Sequence, residues 1–165
     1  MALGVGGDHQ EPLVDVHVPL EQLPRPEIGS NPAGDQLVNL PTWLYLADGW
    51  RTVSATAAVP GISVTATASP TSATWSLGEG STVECAGPGT DYHRDADPRA
   101  ESPQCGHTYR RSSGHTTFPV TATIHWTVTW SGAGQTGTLP ELITTSATQF
   151  RVRESQALNI TPPTR

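Results

Sequence analysis

Six histidines, one acidic stretch and two cysteines are the side chains of this sequence whose types invite chemistry. A zinc site would need three or four ligands converging at about 2.0–2.1 Å from the metal. His93, His107, His115 and His125 show no spacing that demands this. Asp91, Asp95, Asp97 and Glu101 offer carboxylates to calcium, a cation that takes several oxygens from a flexible backbone. They lack the Asp-x-Asp-x-Asp-Gly pattern with its distal Glu, and a solvated loop accounts for them. No metal and no cofactor is therefore expected. Enzyme signatures are missing too: no Gly-x-Ser-x-Gly, no His-Glu-x-x-His, and no phosphate-cradling loop, which a chain without lysine cannot build. The expectation is a protein that is not an enzyme.

Cys85 and Cys105 are the whole thiol inventory. In a Thr/Ser-rich β domain such a pair favours a disulfide formed in an oxidising compartment; two buried free thiols are the alternative. Neither has a Cys-x-x-Cys neighbour, which argues against metal. The aromatics are the remaining candidates for binding. Trp43, Tyr45 and Trp50 could stack on sugar rings or anchor a partner protein if exposed. Trp75, Trp126 and Trp130 follow an apolar phase and belong to a core.

These residues need strands to hold them. Ala73, Trp75 and Leu77 alternate with Thr74 and Ser76, and the run ends in Gly78-Glu79-Gly80, where the backbone needs positive φ. Val120, Ala122, Ile124, Trp126, Val128 and Trp130 alternate with Thr121, Thr123, His125, Thr127 and Thr129, the clearest strand in the chain. Trp50 to Val59 and Ile62 to Ala68 read as a hairpin about Pro60-Gly61, with a corner at Ser69-Pro70-Thr71. Trp43 to Leu46 forms a first strand, broken from Leu37–Leu40 by Pro41. Ser131 to Gly137 reads as a glycine-rich turn. Leu139 to Val152 returns as the last strand, with Ile143, Thr145 and Ala147 on one side. Residues 86 to 104 have no periodicity, and a disulfide at their ends would explain so long an excursion. No helical period appears.

The Trp75-Ser76-Leu77-Gly78-Glu79-Gly80 turn, followed by His107-Thr108-Tyr109 and a long alternating strand, resembles the polycystic kidney disease (PKD) domain family. Leu77 and Glu79 stand where that family has Phe and Asp. The stretch from Trp75 to Trp130 is also similar to small exported actinobacterial proteins with PKD-like domains. The resemblance implies an immunoglobulin-like antiparallel β-sandwich, with His107 structural and Glu79 accepting backbone hydrogen bonds in the turn. It also implies a non-catalytic module that serves as spacer or protein-interaction domain of a secreted or cell-surface protein. A carbohydrate-binding module using Trp43, Tyr45 and Trp50 is the alternative.

The fold class expected is all-β, a sandwich over residues 35–154. Residues 1–34 are rich in Pro and Gly and are expected as a disordered or extended arm, with an edge strand open to Val14, Val16 and Val18. Residues 155–165 form a polar tail. Net charge of -6 and only nine positive residues argue against a nucleic-acid partner. No run approaches the roughly 18 apolar residues of a membrane span. Met1 to Gln10 lacks a basic start and an apolar run, so the export signal expected of such a protein is not visible and the chain reads as a partial gene product. The partner, protein or glycan, is not named by the sequence.

Overall fold

A computed structural model of the chain describes residues 2–3 and 14–155. The strands, in chain order, are β1 (Ala2–Leu3), β2 (Val14–Asp15), β3 (Glu27–Asn31), β4 (Gln36–Leu37), β5 (Pro41–Asp48), β6 (Val53–Val59), β7 (Ile62–Ser76), β8 (Thr82–Cys85), β9 (Gly106–Thr108), β10 (Phe118–Gly132), β11 (Gln135–Phe150) and β12 (Val152–Arg153). The architecture is all-β, with two antiparallel sheets in a sandwich. The larger sheet runs β11-β10-β7-β6, and β8 takes over from β6 along the second half of β7. The smaller runs β3-β5-β9. β12 pairs in parallel with β4 as a separate two-stranded sheet. Among the described residues no helix is long and apolar enough to cross a membrane.

The period-two pattern of the sequence decides which face of each strand is inside. Val120, Ala122, Ile124, Trp126 and Val128 of β10 and Ala66, Ala68, Ala73 and Trp75 of β7 are all buried. They face Leu44 and Leu46 of β5 in one core. Small residues on β7 leave room for the two indoles, Trp75 and Trp126, which are 1% and 0% exposed. Trp130 falls nearer the sheet end and only packs against this core. On β11 it is Thr144 and Phe150 that turn inward, while Ile143, Thr145 and Ala147 share the solvent side.

The hairpin turns follow their residues. Proline fixes φ at the first corner of the β6–β7 turn, and Gly61 supplies φ +82° at the second, the type II combination. The β10–β11 turn is tighter than the seven residues expected: Gly132 pairs with Gln135, leaving Ala133 and Gly134 as the corners.

The corner expected at Ser69-Pro70-Thr71 is instead a bulge inside one 15-residue strand. Trp126 pairs with Pro70 and His125 with Ser72, so Thr71 is left over. A bulge tolerates the proline because one ladder hydrogen bond is already missing there.

The arm expected over residues 1–34 also differs from what is observed. Its residues 1 and 4–13 lie outside the described residues, as do 156–165 of the tail. From Val14 onward the segment belongs to the fold. Val16, Val18 and Leu23 are core residues, and β3 is an edge strand hydrogen-bonded to β5. The prolines that suggested a linker flank β3 at 24, 26 and 32 rather than interrupt it. Burial of three aliphatic side chains then outweighs their weak local propensity.

Candidate functional site

Strand β7 leads into buried Leu77, which opens a turn closed by the Leu77 N–H donating to Ser81 O at 3.0 Å. Gly78 and Gly80 take φ of +79° and +88°. Gly78 has a second reason to be glycine: a Cβ there would stand 2.6 Å from Phe118 Cβ and 2.7 Å from Pro119 O. Between the two glycines Glu79 is turned inward, not outward. Its Oε1 accepts from His107 Nε2 at 2.7 Å, and the two side chains are 7% and 15% exposed. Ser81 Oγ lies 3.5 Å from the same oxygen.

His107 is placed by β9, which pairs it with Thr42 of β5. Two residues on, Tyr109 meets the imidazole edge to face at 4.8 Å and stacks on Phe118 at 5.8 Å. Its hydroxyl donates to Leu77 O at 3.2 Å. Burial, and after it the Glu79 carboxylate, push the Tyr109 phenol above its ordinary value. Of the residues the sequence singled out, Glu79, His107 and Tyr109 thus meet at the Gly78–Gly80 turn, while Trp75 lies in the core on β7. Glu79 accepts from the His107 side chain rather than from the turn's backbone.

Cys85 and Cys105 are bonded, with Cα atoms 5.7 Å apart. The excursion they close lies against the outer face of the smaller sheet. Leu44 N–H donates to Cys105 O and Leu46 N–H to Pro88 O, so residues of the excursion continue the edge of β5 beyond β9. Gly89 packs directly on Leu44 O and Tyr45, where no Cβ would fit. Tyr92 meets Trp43 edge to face at 5.3 Å, and Trp43 Nε1 donates to Ala100 O at 2.8 Å.

That cover changes the reading of the three aromatics. Trp43 is 4% exposed and cannot stack on a sugar. Trp50 is half-buried against the core. Tyr45 keeps some exposure, but its ring lies over Gly29, its direct partner on β3. It borders a groove of about 460 Å³ that also contains Asp35, Gln149 and Arg151.

A second, polar cleft of about 260 Å³ sits beside the motif, lined by Thr42, Glu101, Ser102, His107 and Thr108 among others. Its histidine is already bonded through Nε2 to Glu79. Among the described residues no three His, Cys, Asp or Glu side chains are grouped to hold a metal.

Two polar sets escaped the sequence. Gln36, fully buried, donates through Nε2 to Pro32 O and Gly34 O at 2.7 and 2.9 Å and accepts from Thr42 Oγ1 at 3.0 Å. A glutamine beside a turn carries no signal that it will be buried. His125, expected to be merely solvated, is hydrogen-bonded on both ring nitrogens, to Thr74 and Glu141. Only the strand register brings those three together. Comparison with known protein families, curated proteins and solved structures finds no match for this chain.

Proposed function

We propose that this chain is a non-catalytic, PKD-like, immunoglobulin-like module of a secreted or cell-surface protein, serving as spacer or protein-contact domain. The observation that carries the reading is the commitment of Glu79, His107 and Tyr109 to one another and to Leu77 O. The side chains best equipped for chemistry in the motif tie a turn to a distant strand, and His107, although it borders the polar cleft, has its Nε2 bonded to Glu79. The Cys85–Cys105 bond supports an oxidising destination, because cytosolic thiols are kept reduced. The test is localisation with redox state. Antibody to the domain should label intact source cells or their medium, and alkylation should find no free thiol. A cytosolic protein with both thiols free would overturn the proposal.

The carbohydrate reading retains one observation, the groove beside Tyr45 with its Asp35, Gln149 and Arg151 side chains. Polysaccharide pull-down with the wild type and with Tyr45→Ala decides it. Retention lost in the variant supports a glycan site, and no retention by the wild type removes it.

A further inference from the structure

On the solvent face of the larger sheet, Thr74, His125 and Glu141 form a line across its three longest strands. His125 Nε2 is 2.9 Å from Thr74 Oγ1, and Nδ1 is 2.9 Å from Glu141 Oε1. Neither partner is the residue directly opposite. The ladder sets His125 against Ser72 on β7 and Ile143 on β11. Thr74 and Glu141 are the diagonal neighbours, two residues further along in opposite directions, at a separation long side chains can bridge. Both ladders also lose register beside His125: between His125 and Trp126 against β7, and between Trp126 and Val128 against β11. Bulges of this kind re-aim side chains.

Three hydroxyl pairs on this face bond to each other, Ser54 with Thr67, Thr56 with Thr65, and Thr123 with Thr145, and Thr71 donates to a backbone carbonyl, His125 O. Thr74 has an imidazole nitrogen for a partner. A neutral imidazole that donates Nδ1–H to Glu141 presents Nε2 as acceptor for the Thr74 hydroxyl. Nucleophile, base and orienting carboxylate in that order are the arrangement that activates an alcohol.

We propose that Thr74 is an acyl-acceptor site, with His125 as its base and Glu141 as the residue that positions His125. The donor is an uncharged or cationic activated ester, oxygen or sulfur, because Glu84 stands in register beside Thr74 on β8 and disfavours anions. Thr74 Oγ bonds to the carbonyl carbon as its proton passes to His125 Nε2. The bond to the leaving oxygen or sulfur then breaks, and the departing group takes that proton from His125. The products are an ester at Thr74 and a free alcohol or thiol; nothing is oxidised or reduced. The inference is confined to this single transfer and is independent of the spacer reading above.

The intact chain, incubated with p-nitrophenyl acetate and mapped by tandem mass spectrometry, tests it. Thr74 should acetylate roughly 100-fold faster than Thr123 or Thr145, the scale a general base supplies. This comparison is made within one wild-type molecule and needs no variant. His125→Gln should remove the advantage, Glu141→Ala should reduce it, and Glu141→Asp should restore part of it. The rate should fall as acid protonates His125; the carboxylates facing the set are Glu141 from β11 and Glu84 from β8, and β7 contributes only hydroxyls. Thr74 labelled no faster than Thr123, or labelled equally fast in His125→Gln, would overturn the proposal.

Discussion

The imidazole of His107 and the carboxylate of Glu79 are joined at 2.7 Å across 28 residues of sequence, with little of either side chain in water. Removing one partner leaves the other poorly solvated. Glu79→Ala should therefore lower unfolding stability by about 1–3 kcal/mol. Glu79→Gln should cost less, because an amide oxygen still accepts from His107. Urea melts of the two variants check this, and an equal loss in both would show that the charge, not the hydrogen bond, matters.

Tyr109 gives the same corner a dependence on pH. Its phenol is held above its ordinary value by burial and by Glu79. Unfolded, it ionises near pH ~10. A group whose folded value is raised contributes stability that is whole below the unfolded value and is lost as pH climbs toward the folded one. Denaturation midpoints should thus fall above about pH 10. Tyr109→Phe should be weaker at neutral pH by about 1 kcal/mol, the hydrogen bond to Leu77 O. It should also show a shallower alkaline fall. Parallel pH series of wild type and variant isolate this residue from the arginines and other tyrosines.

The two turn glycines should separate cleanly. Gly80 has positive φ but open space around a built Cβ, whereas Gly78 meets Phe118 and Pro119 at 2.6–2.7 Å. Gly80→Ala carries only the conformational cost, about 1–2 kcal/mol. Gly78→Ala adds overpacking of about 1–3 kcal/mol to that. Chemical denaturation of both variants would show the ranking, and equal losses would mean that the Phe118 backbone yields.

What the sequence makes legible is whatever a local period or a covalent link carries. β10 and the second half of β7 announced themselves by alternation, and the cysteine pair announced its own closure. The register was not readable, because it is set by pairing across strands, and so the Thr74–His125–Glu141 line stayed hidden. Segment 14–31 reads as an arm from sequence because its prolines speak locally while Val16, Val18 and Leu23 act through the core. The sequence leaves the burial of Trp43 open for a related reason. Its phase does point away from the core, and it is buried only because the disulfide-closed excursion folds back over it.

That cover depends on the bond between Cys85 and Cys105. Opening it frees an excursion with a sequence separation of 20 residues. On the chain-entropy account the double variant Cys85→Ser/Cys105→Ser loses about 3 kcal/mol. The specific expectation concerns Trp43. With the excursion untied, acrylamide should quench more of the tryptophan fluorescence under native conditions, and Trp43→Phe should abolish that increment. A double variant with unchanged quenching would mean that the Pro88–Leu46 and Ala100–Trp43 hydrogen bonds hold the excursion without the sulfur link.

The β10–β11 turn offers a gain rather than a loss. Ala133 and Gly134 both take positive φ, +51° and +74°, the requirement of a type I′ hairpin turn. Glycine meets it freely, but an alanine there holds its Cβ against the following carbonyl. Asparagine tolerates the left-handed region and Asn-Gly is the preferred pair for this turn. Ala133→Asn should stabilise the protein by about 0.5–1 kcal/mol, read as a higher urea midpoint at unchanged slope. Ala133→Val, with its branched Cβ, should destabilise it. A neutral asparagine variant would mean that the strain is relieved elsewhere in the turn, and the flanking Gly132, which packs closely on Val64 of β7, is where that relief would have to come from.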